Sequence, residues 1–227
     1  MEEQPDIQAD QALKTKVLLV DDHPIFRHGL TELLDWQPDL IVCGHADSAS
    51  AALEQMRRLK PDLAVIDITL RGTNGIELVK MIKAELPHLP IVMLSMHDET
   101  LYAVRALKAG ALAYVMKADG PQFVLKAIHR ALQGRLFVGP RLEEMLIFKG
   151  IHGSESHSAS PVDLLSDREL EVLVMIGHGH HTRSIAQELH LSIKTIETHR
   201  ARIKEKLAFA DTNDMIRFAI DWVAQQT

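Results

Sequence analysis

Residues Pro61–Glu77 read PDLAVIDITLRGTNGIE. Leu63–Ile66 is a short, wholly apolar run between turn residues, the pattern of a strand buried on both faces. It stops on Asp67, and a glycine-containing loop, Arg71–Gly75, follows. A carboxylate at the end of a buried strand is costly unless something pairs with it. In open α/β sheets that end of the strands is where ligands bind. Asp67 is therefore the expected chemical centre of the chain.

Four more apolar runs flank it. Lys16–Val20 ends on Asp21 and Asp22, Leu40–Cys43 follows, Pro90–Leu94 ends at Ser95, and Ala111–Met116 ends at Lys117. Between the runs lie amphipathic stretches with helix signals. Pro24 suits a first helical turn that carries Ile25, Phe26, Leu30, Leu33 and Leu34 inward. Ser48 can cap a helix burying Ala52, Leu53, Met56 and Leu59 and stopping before Pro61. Ile76–Leu86 closes at Pro87. Asp98 can cap a helix to Ala109, and Pro121 opens one to about Gln133. Five strands alternating with five helices across short loops predict a doubly wound, five-stranded parallel α/β sheet.

In a parallel sheet Asp21, Asp22 and Asp67 end on one edge, and they meet if the first and third strands are neighbours. Three close carboxylates do not all ionise unaided. A hard divalent cation such as Mg2+, which takes oxygen ligands, resolves this. A carboxylate can itself accept a phosphoryl group, with the cation and Lys117 neutralising the charge in transfer. Any one of these aspartates alone reads as a helix cap. Their joint placement with Ser95 and Lys117 does not. His23 and His97 border the pocket as rim residues rather than as bases.

Composition sets the outer limits. The chain has 227 residues, 46% hydrophobic and 25% charged, with a net charge of −6. That is room for one large or two small domains. No apolar run nears the roughly 18 residues of a membrane span. The acidic start MEEQPDIQAD is unlike a secretory leader, and the one cysteine, Cys43, reads as a small core residue of a cytoplasmic protein. Any nucleic-acid site must be a local basic patch on an acidic protein.

Residues 150–160, GIHGSESHSAS, have linker composition, after a candidate helix over 141–148. The predicted division is a first domain over 16–135, a linker over 136–161 and a second domain over 162–227. The second is helical throughout. Ser166 and Glu169 form a capping box before Leu170, Val172, Leu173 and Ile176. Thr182–Leu189 is a short helix, His190–Leu191 a tight connection, and Ser192–Leu207 a longer helix. Thr212 can cap a last helix to about Val223. The longer helix sets Lys194, Arg200, Arg202, Lys204 and Lys206 against Glu197 and Glu205, with Ile193, Ile196, Ile203 and Leu207 toward the core. On charge alone its other face, with Lys194, Thr195, Glu197, Thr198, Ala201 and Arg202, reads as a solvated helix face, although its small and polar groups also suit base edges and phosphates of a major groove. The loop His178–His181 has no cysteine or carboxylate in its own sequence to complete a metal site and reads as solvated.

Two resemblances follow from these residues. VLLVDDHPIFRHGL, DLAVID with its G-I-E-L continuation, IVMLS and AYVMK resemble the receiver domain of bacterial two-component response regulators. The resemblance implies Asp67 as phosphoacceptor, Asp21, Asp22 and Asp67 as Mg2+ ligands, Ser95 and Lys117 as phosphoryl contacts, and Tyr114 as an aromatic switch that turns inward. Arg71 stands where the family usually has proline, and Ala113 where glycine is common. LSDRELEVL, SIAQEL and LSIKTIETHRARIKEKL are similar to the LuxR-type helix-turn-helix, with His190 where glycine is usual. Together they give the layout of NarL/FixJ-type regulators.

The function this implies is a non-enzymatic transcriptional regulator, phosphorylated on Asp67 by a sensor histidine kinase and dimeric on DNA when phosphorylated. RNA polymerase is a further candidate partner. The implied DNA-contacting set is Lys194, Thr195, Glu197, Thr198, His199, Arg200, Ala201, Arg202 and Lys204. Two alternatives are a phosphorylation-independent DNA-binding regulator, which Arg71 favours, and an aspartyl-phosphate phosphohydrolase. The second carries an acid two residues after its nucleophile, where this chain has Thr69.

Overall fold

The computed structural model describes residues 14–96, 99–139, 143 and 161–225. Five parallel strands form one sheet in the order β2-β1-β3-β4-β5. They are β1 (Thr15–Val20), β2 (Leu40–Ala46), β3 (Leu63–Asp67), β4 (Ile91–Ser95) and β5 (Ala113–Met116). Helices α1 (Pro24–Asp35), α2 (Ala49–Leu59), α3 (Gly75–Glu85), α4 (Glu99–Ala109) and α5 (Pro121–Leu132) alternate with them. Strand order reverses between β1 and β3, so the two aspartate-bearing ends are neighbours.

The strands read as apolar runs because both faces are covered. Leu18, Val20, Ala64, Ile66, Ile91 and Met93 pack on the side of α2, α3 and α4. Val17, Leu19, Leu63, Val65, Val92 and Leu94 pack on the side of α1 and α5. Alternate residues of each strand thus go to opposite layers.

The second domain is α6 (Asp167–Gly177), α7 (Thr182–Glu188), α8 (Ile193–Lys206) and α9 (Thr212–Ala224), preceded by a 3-10 turn over Pro161–Leu164. The Ser166–Glu169 capping box forms as the sequence implies. The loop before α8 is capped by Ser192, whose side chain accepts from the Thr195 amide.

The domains meet along a polar seam. The Arg105 guanidinium donates to the Val162 and Leu165 carbonyls at 2.8 Å each and to Asp167 Oδ1 at 3.1 Å. Lys80 Nζ lies 2.7 Å from Asp167 Oδ2. Glu171, fully buried, accepts from Thr69 Oγ1 at 3.2 Å and Asn74 Nδ2 at 3.1 Å.

Several sequence expectations are corrected. Ile25 is 90% exposed, because the inward stripe of α1 runs through Leu30 and Leu34 instead. Ile193 is exposed, since it sits in the first turn of α8 before its helix packs. Asp211, not Thr212, caps α9 and accepts from the Asp214 amide. Ser48 holds the cap position of α2 without a side-chain bond. β2 extends three residues beyond Cys43, and Cys43 is half-buried at the core margin rather than inside it. His97, Asp98 and the candidate helix over 141–148 lie outside the described residues, apart from Glu143.

Candidate functional site

Asp21, Asp22 and Asp67 are all buried and converge at the β1/β3 switch point. Each is placed by backbone. Strand β1 ends with the Asp21 amide donating to the Ala46 carbonyl at 3.0 Å. Asp21 Oδ1 then accepts from the His23 amide at 2.7 Å, and α1 begins directly after at Pro24. Asp67 is held by β4 on one side, where the Ile68 amide donates to the Leu94 carbonyl at 3.0 Å. On the other side Gly75 packs so tightly that a Cβ there would strike the Asp67 carbonyl oxygen. Only glycine lets α3 start this close to the strand end.

Lys117 completes the pocket from the 3-10 turn after β5. Its Nζ lies 2.7 Å from Asp21 Oδ2 and 2.8 Å from Asp67 Oδ2. The Phe26 ring covers it, with the ammonium 4.3 Å from the ring centroid. Burial pushes the Asp67 carboxyl up to about 7, Lys117 opposes that, and the Asp21 charge adds to it. The His23 ring Nδ1 stands 2.9 Å from Asp22 Oδ1, 3.3 Å from Asp21 Oδ1 and 3.8 Å from Asp67 Oδ2. Even so, Asp22 Oδ1 is buried without a hydrogen bond of proper geometry. One donor short and built of hard oxygens, this set fits a small divalent cation.

Ser95 and Tyr114 are both fully buried. Ser95 ends β4 beside Asp67's neighbour in the sheet, and Tyr114 lies in the core between β5 and the helices. Tyr114 is thus inside the core in this conformation. Arg71 turns to the surface, its guanidinium 3.6 Å from Asp47 Oδ2.

The comparisons with known proteins bear on both halves. Residues 17–129 match the response regulator receiver domain, and residues 163–219 match the bacterial regulatory proteins of the luxR family. The response regulator GacA of Pseudomonas aeruginosa is 33% identical over 205 residues, 90% of this chain and 95% of that protein. This chain belongs to the NarL/FixJ-type response regulators.

The response regulator protein VraR of Staphylococcus aureus is 31% identical over 204 residues, 90% of this chain and 95% of the relative. Among solved structures, RcsB from Salmonella enterica serovar Typhimurium bound to promoter rprA with the phosphomimetic BeF3- is 25% identical. It covers 91% of this chain and 98% of its own, with a TM-score of 0.60. A LuxR-family response regulator from Aurantimonas is 33% identical over 61% of this chain and 99% of its own, with a TM-score of 0.58. A response regulator with a receiver and a LuxR-type DNA-binding domain is a regulator and not an enzyme, which disposes of the phosphohydrolase.

In this response regulator helix α8 keeps its outer face free. Lys194, Glu197, Thr198, Ala201 and Arg202 are exposed along α8, and Thr195 and Lys204 are half-exposed. The receiver holds the domain by α6 instead. His199 and Arg200 are half-buried. The Arg200 guanidinium donates to Thr182 Oγ1 at 3.1 Å, and burial lowers the His199 imidazole below its usual range. Lys206 ties α8 to α6, 2.7 Å from Glu169 Oε2.

His190 has φ of +52°, the left-handed conformation that explains why glycine suits this turn. In the histidine-rich loop, the fold brings the Glu188 carboxylate to 3.4 Å from His180 Nδ1, a partner that local sequence does not reveal. No metal-ligating cluster beyond Asp21, Asp22, His23 and Asp67 occurs among the described residues. Sequence reasoning missed three contributors: Phe26 over Lys117, Glu171 against Thr69 and Asn74, and His190, whose Nε2 lies 3.7 Å from Asp22 Oδ2. Only His190 left a signal, as a bulky residue in a turn that wants glycine.

Proposed function

We propose that this regulator is switched by a phosphoryl group on Asp67, donated by a sensor histidine kinase. The observation that carries this is the buried Asp67–Lys117–Asp21 bridge at the topological switch point, with distances of 2.8 and 2.7 Å. Asp21, Asp22 and Asp67 would hold Mg2+, which supplies charge neutralisation to the transferring group. Asp67 Oδ would attack phosphorus as its bond to the kinase's histidine nitrogen breaks and that imidazole leaves, Lys117 would stay paired with the charge that develops, and Ser95 would donate to the new phosphoryl oxygens from the strand end. Tyr114, already buried, fills the space on the core side. The phosphoryl group then biases a two-state equilibrium.

Residues 16–135 would form the receiver, 136–161 the linker and 162–227 the DNA-binding unit. Lys194, Thr195, Glu197, Thr198, Ala201 and Arg202 would face the major groove of double-stranded DNA, with Lys204 toward a phosphate. A two-fold homodimer would read half-sites about one helical turn apart or a multiple of that. RcsB was solved on promoter DNA with a phosphomimetic, which supports this reading. No helix among the described residues is long and apolar enough to cross a membrane. The regulator's place of action would be the cytoplasm, with RNA polymerase a further candidate partner.

The phosphorylation-independent alternative rested on Arg71, whose side chain lies at the surface 3.6 Å from Asp47 Oδ2. The test is DNA affinity with and without beryllofluoride and Mg2+, in the native chain and in Asp67→Ala. A gain confined to the native chain supports the switch.

A further inference from the structure

The outer face of α8 carries charge of the wrong sign for a polyanion at two places. Glu205 lies in the last turn, between Lys204 and Lys206. Glu197 lies in the leading half, exposed, one turn after Lys194. The Arg200 guanidinium, three residues further on, donates to Thr182 Oγ1 at 3.1 Å rather than to Glu197. Burial lowers that guanidinium, and the Glu197 charge partly offsets the effect without an ion pair between them.

The other side chains of the leading turns are already engaged or apolar. Thr198 Oγ1 donates to the Lys194 carbonyl at 2.9 Å. Thr195 Oγ1 lies 2.8 Å from Ser192 Oγ. Ile193 is exposed, and Ala201, one turn past Glu197, leaves open space on the same face. Glu197 is therefore the one strong acceptor that the leading half of α8 presents to a base edge.

We propose that Glu197 is a specificity-determining residue, accepting a hydrogen bond from the exocyclic amine of a cytosine in the major groove. The inference rests on the reading of α8 as the helix that faces the groove, and it names what that helix selects.

The choice of base follows from the donors and acceptors. A carboxylate only accepts. Guanine shows it two acceptors, N7 and O6, and thymine shows O4. Adenine sets its N6 donor beside the acceptor N7, so attraction and repulsion meet on one edge. Cytosine alone offers a donor, N4, with no acceptor next to it on its own edge. The order is cytosine, then adenine, with thymine and guanine rejected. Charge sharpens the order. Close to phosphates an acid weakens binding to every sequence, and only a correctly placed amine offsets that loss. Glu197 thus selects chiefly by excluding the wrong bases. A merely solvated Glu197 would weaken binding to all sequences alike.

The test uses the full chain with Mg2+ and beryllofluoride and a duplex library randomised across two half-sites. Bound duplexes are sequenced for the native chain, Glu197→Ala and Glu197→Gln. The side chain is exposed, so both variants keep the fold, and thermal melting verifies it. The native chain should enrich cytosine over guanine about tenfold at one position of each half-site. Glu197→Ala should level that position, leave the others as they were, and bind a duplex of random sequence about twofold or more tighter. Glu197→Gln should move the preference toward adenine, whose N6 and N7 suit an amide. The same base profile in Glu197→Ala as in the native chain overturns the assignment and leaves α8 as the reading helix. A native chain that enriches no sequence overturns both.

Discussion

The Lys117 ammonium and the Asp67 carboxylate lie 2.8 Å apart, and each side chain is only 3% exposed. The same Lys117 ammonium lies 2.7 Å from Asp21 Oδ2 and so offsets the repulsion between the two acids. Replacing it with methionine leaves three buried acids facing one another. Lys117→Met is expected to cost about 3 kcal/mol at pH 8, because removing one partner strands buried charge. Urea unfolding checks this, and added Mg2+ should restore part of the loss.

The raised Asp67 carboxyl makes stability depend on pH. Its pKa is about 7 in the fold against 3.8 for the ordinary group. Between those values the folded chain binds more protons than the unfolded one, so this group's contribution is whole below about 4 and is lost as pH rises through 7. Asp67→Asn should therefore match the native chain near pH 4 and gain on it steadily up to pH 8. Unfolding curves without divalent cations measure the difference, which Mg2+ should reverse in sign by stabilising only the native chain.

Gly75 is where the loop after Asp67 turns into α3. Gly75→Ala forces its new methyl against the Asp67 carbonyl. The expected cost is about 1–3 kcal/mol of overpacking. Displacing that backbone should also slow labelling of Asp67 by acetyl phosphate more than it lowers the melting temperature would suggest.

Arg200 and Arg202 are neighbours in sequence with different work. Arg202 is exposed on the outer face of α8, whereas Arg200 bonds Thr182 across the helix-turn-helix. Arg202→Ala should weaken DNA binding and lower the salt slope by about 1. Arg200→Ala should leave the slope unchanged and reduce the melting temperature of the domain. Binding isotherms at several salt concentrations separate the two.

The sheet was legible because each strand is a continuous apolar run ending on a polar residue, and the functional ends are those same residues. Adjacency of β1 and β3, on which convergence of Asp21, Asp22 and Asp67 depends, is a property of topology that spacing alone leaves open. Capping at Ser166 and Ser192 was readable because the bonding is local. Ile25, Ile193 and Cys43 were misplaced because periodicity marks a helix face or a strand without saying how far along it the cover extends. The contacts of Glu171 and His190 with the receiver join residues about a hundred or more apart, and no local pattern encodes them. Arg200 reads as a groove contact by charge alone, and only the packing of α7 against α8 shows that its guanidinium donates to Thr182 Oγ1.

The most direct test is the affinity of the intact chain for a duplex carrying two half-sites, with Mg2+, in the presence and absence of beryllofluoride. The account predicts tighter binding with beryllofluoride in the native chain and no change in Asp67→Ala. Equal affinity in the native chain under both conditions would contradict it.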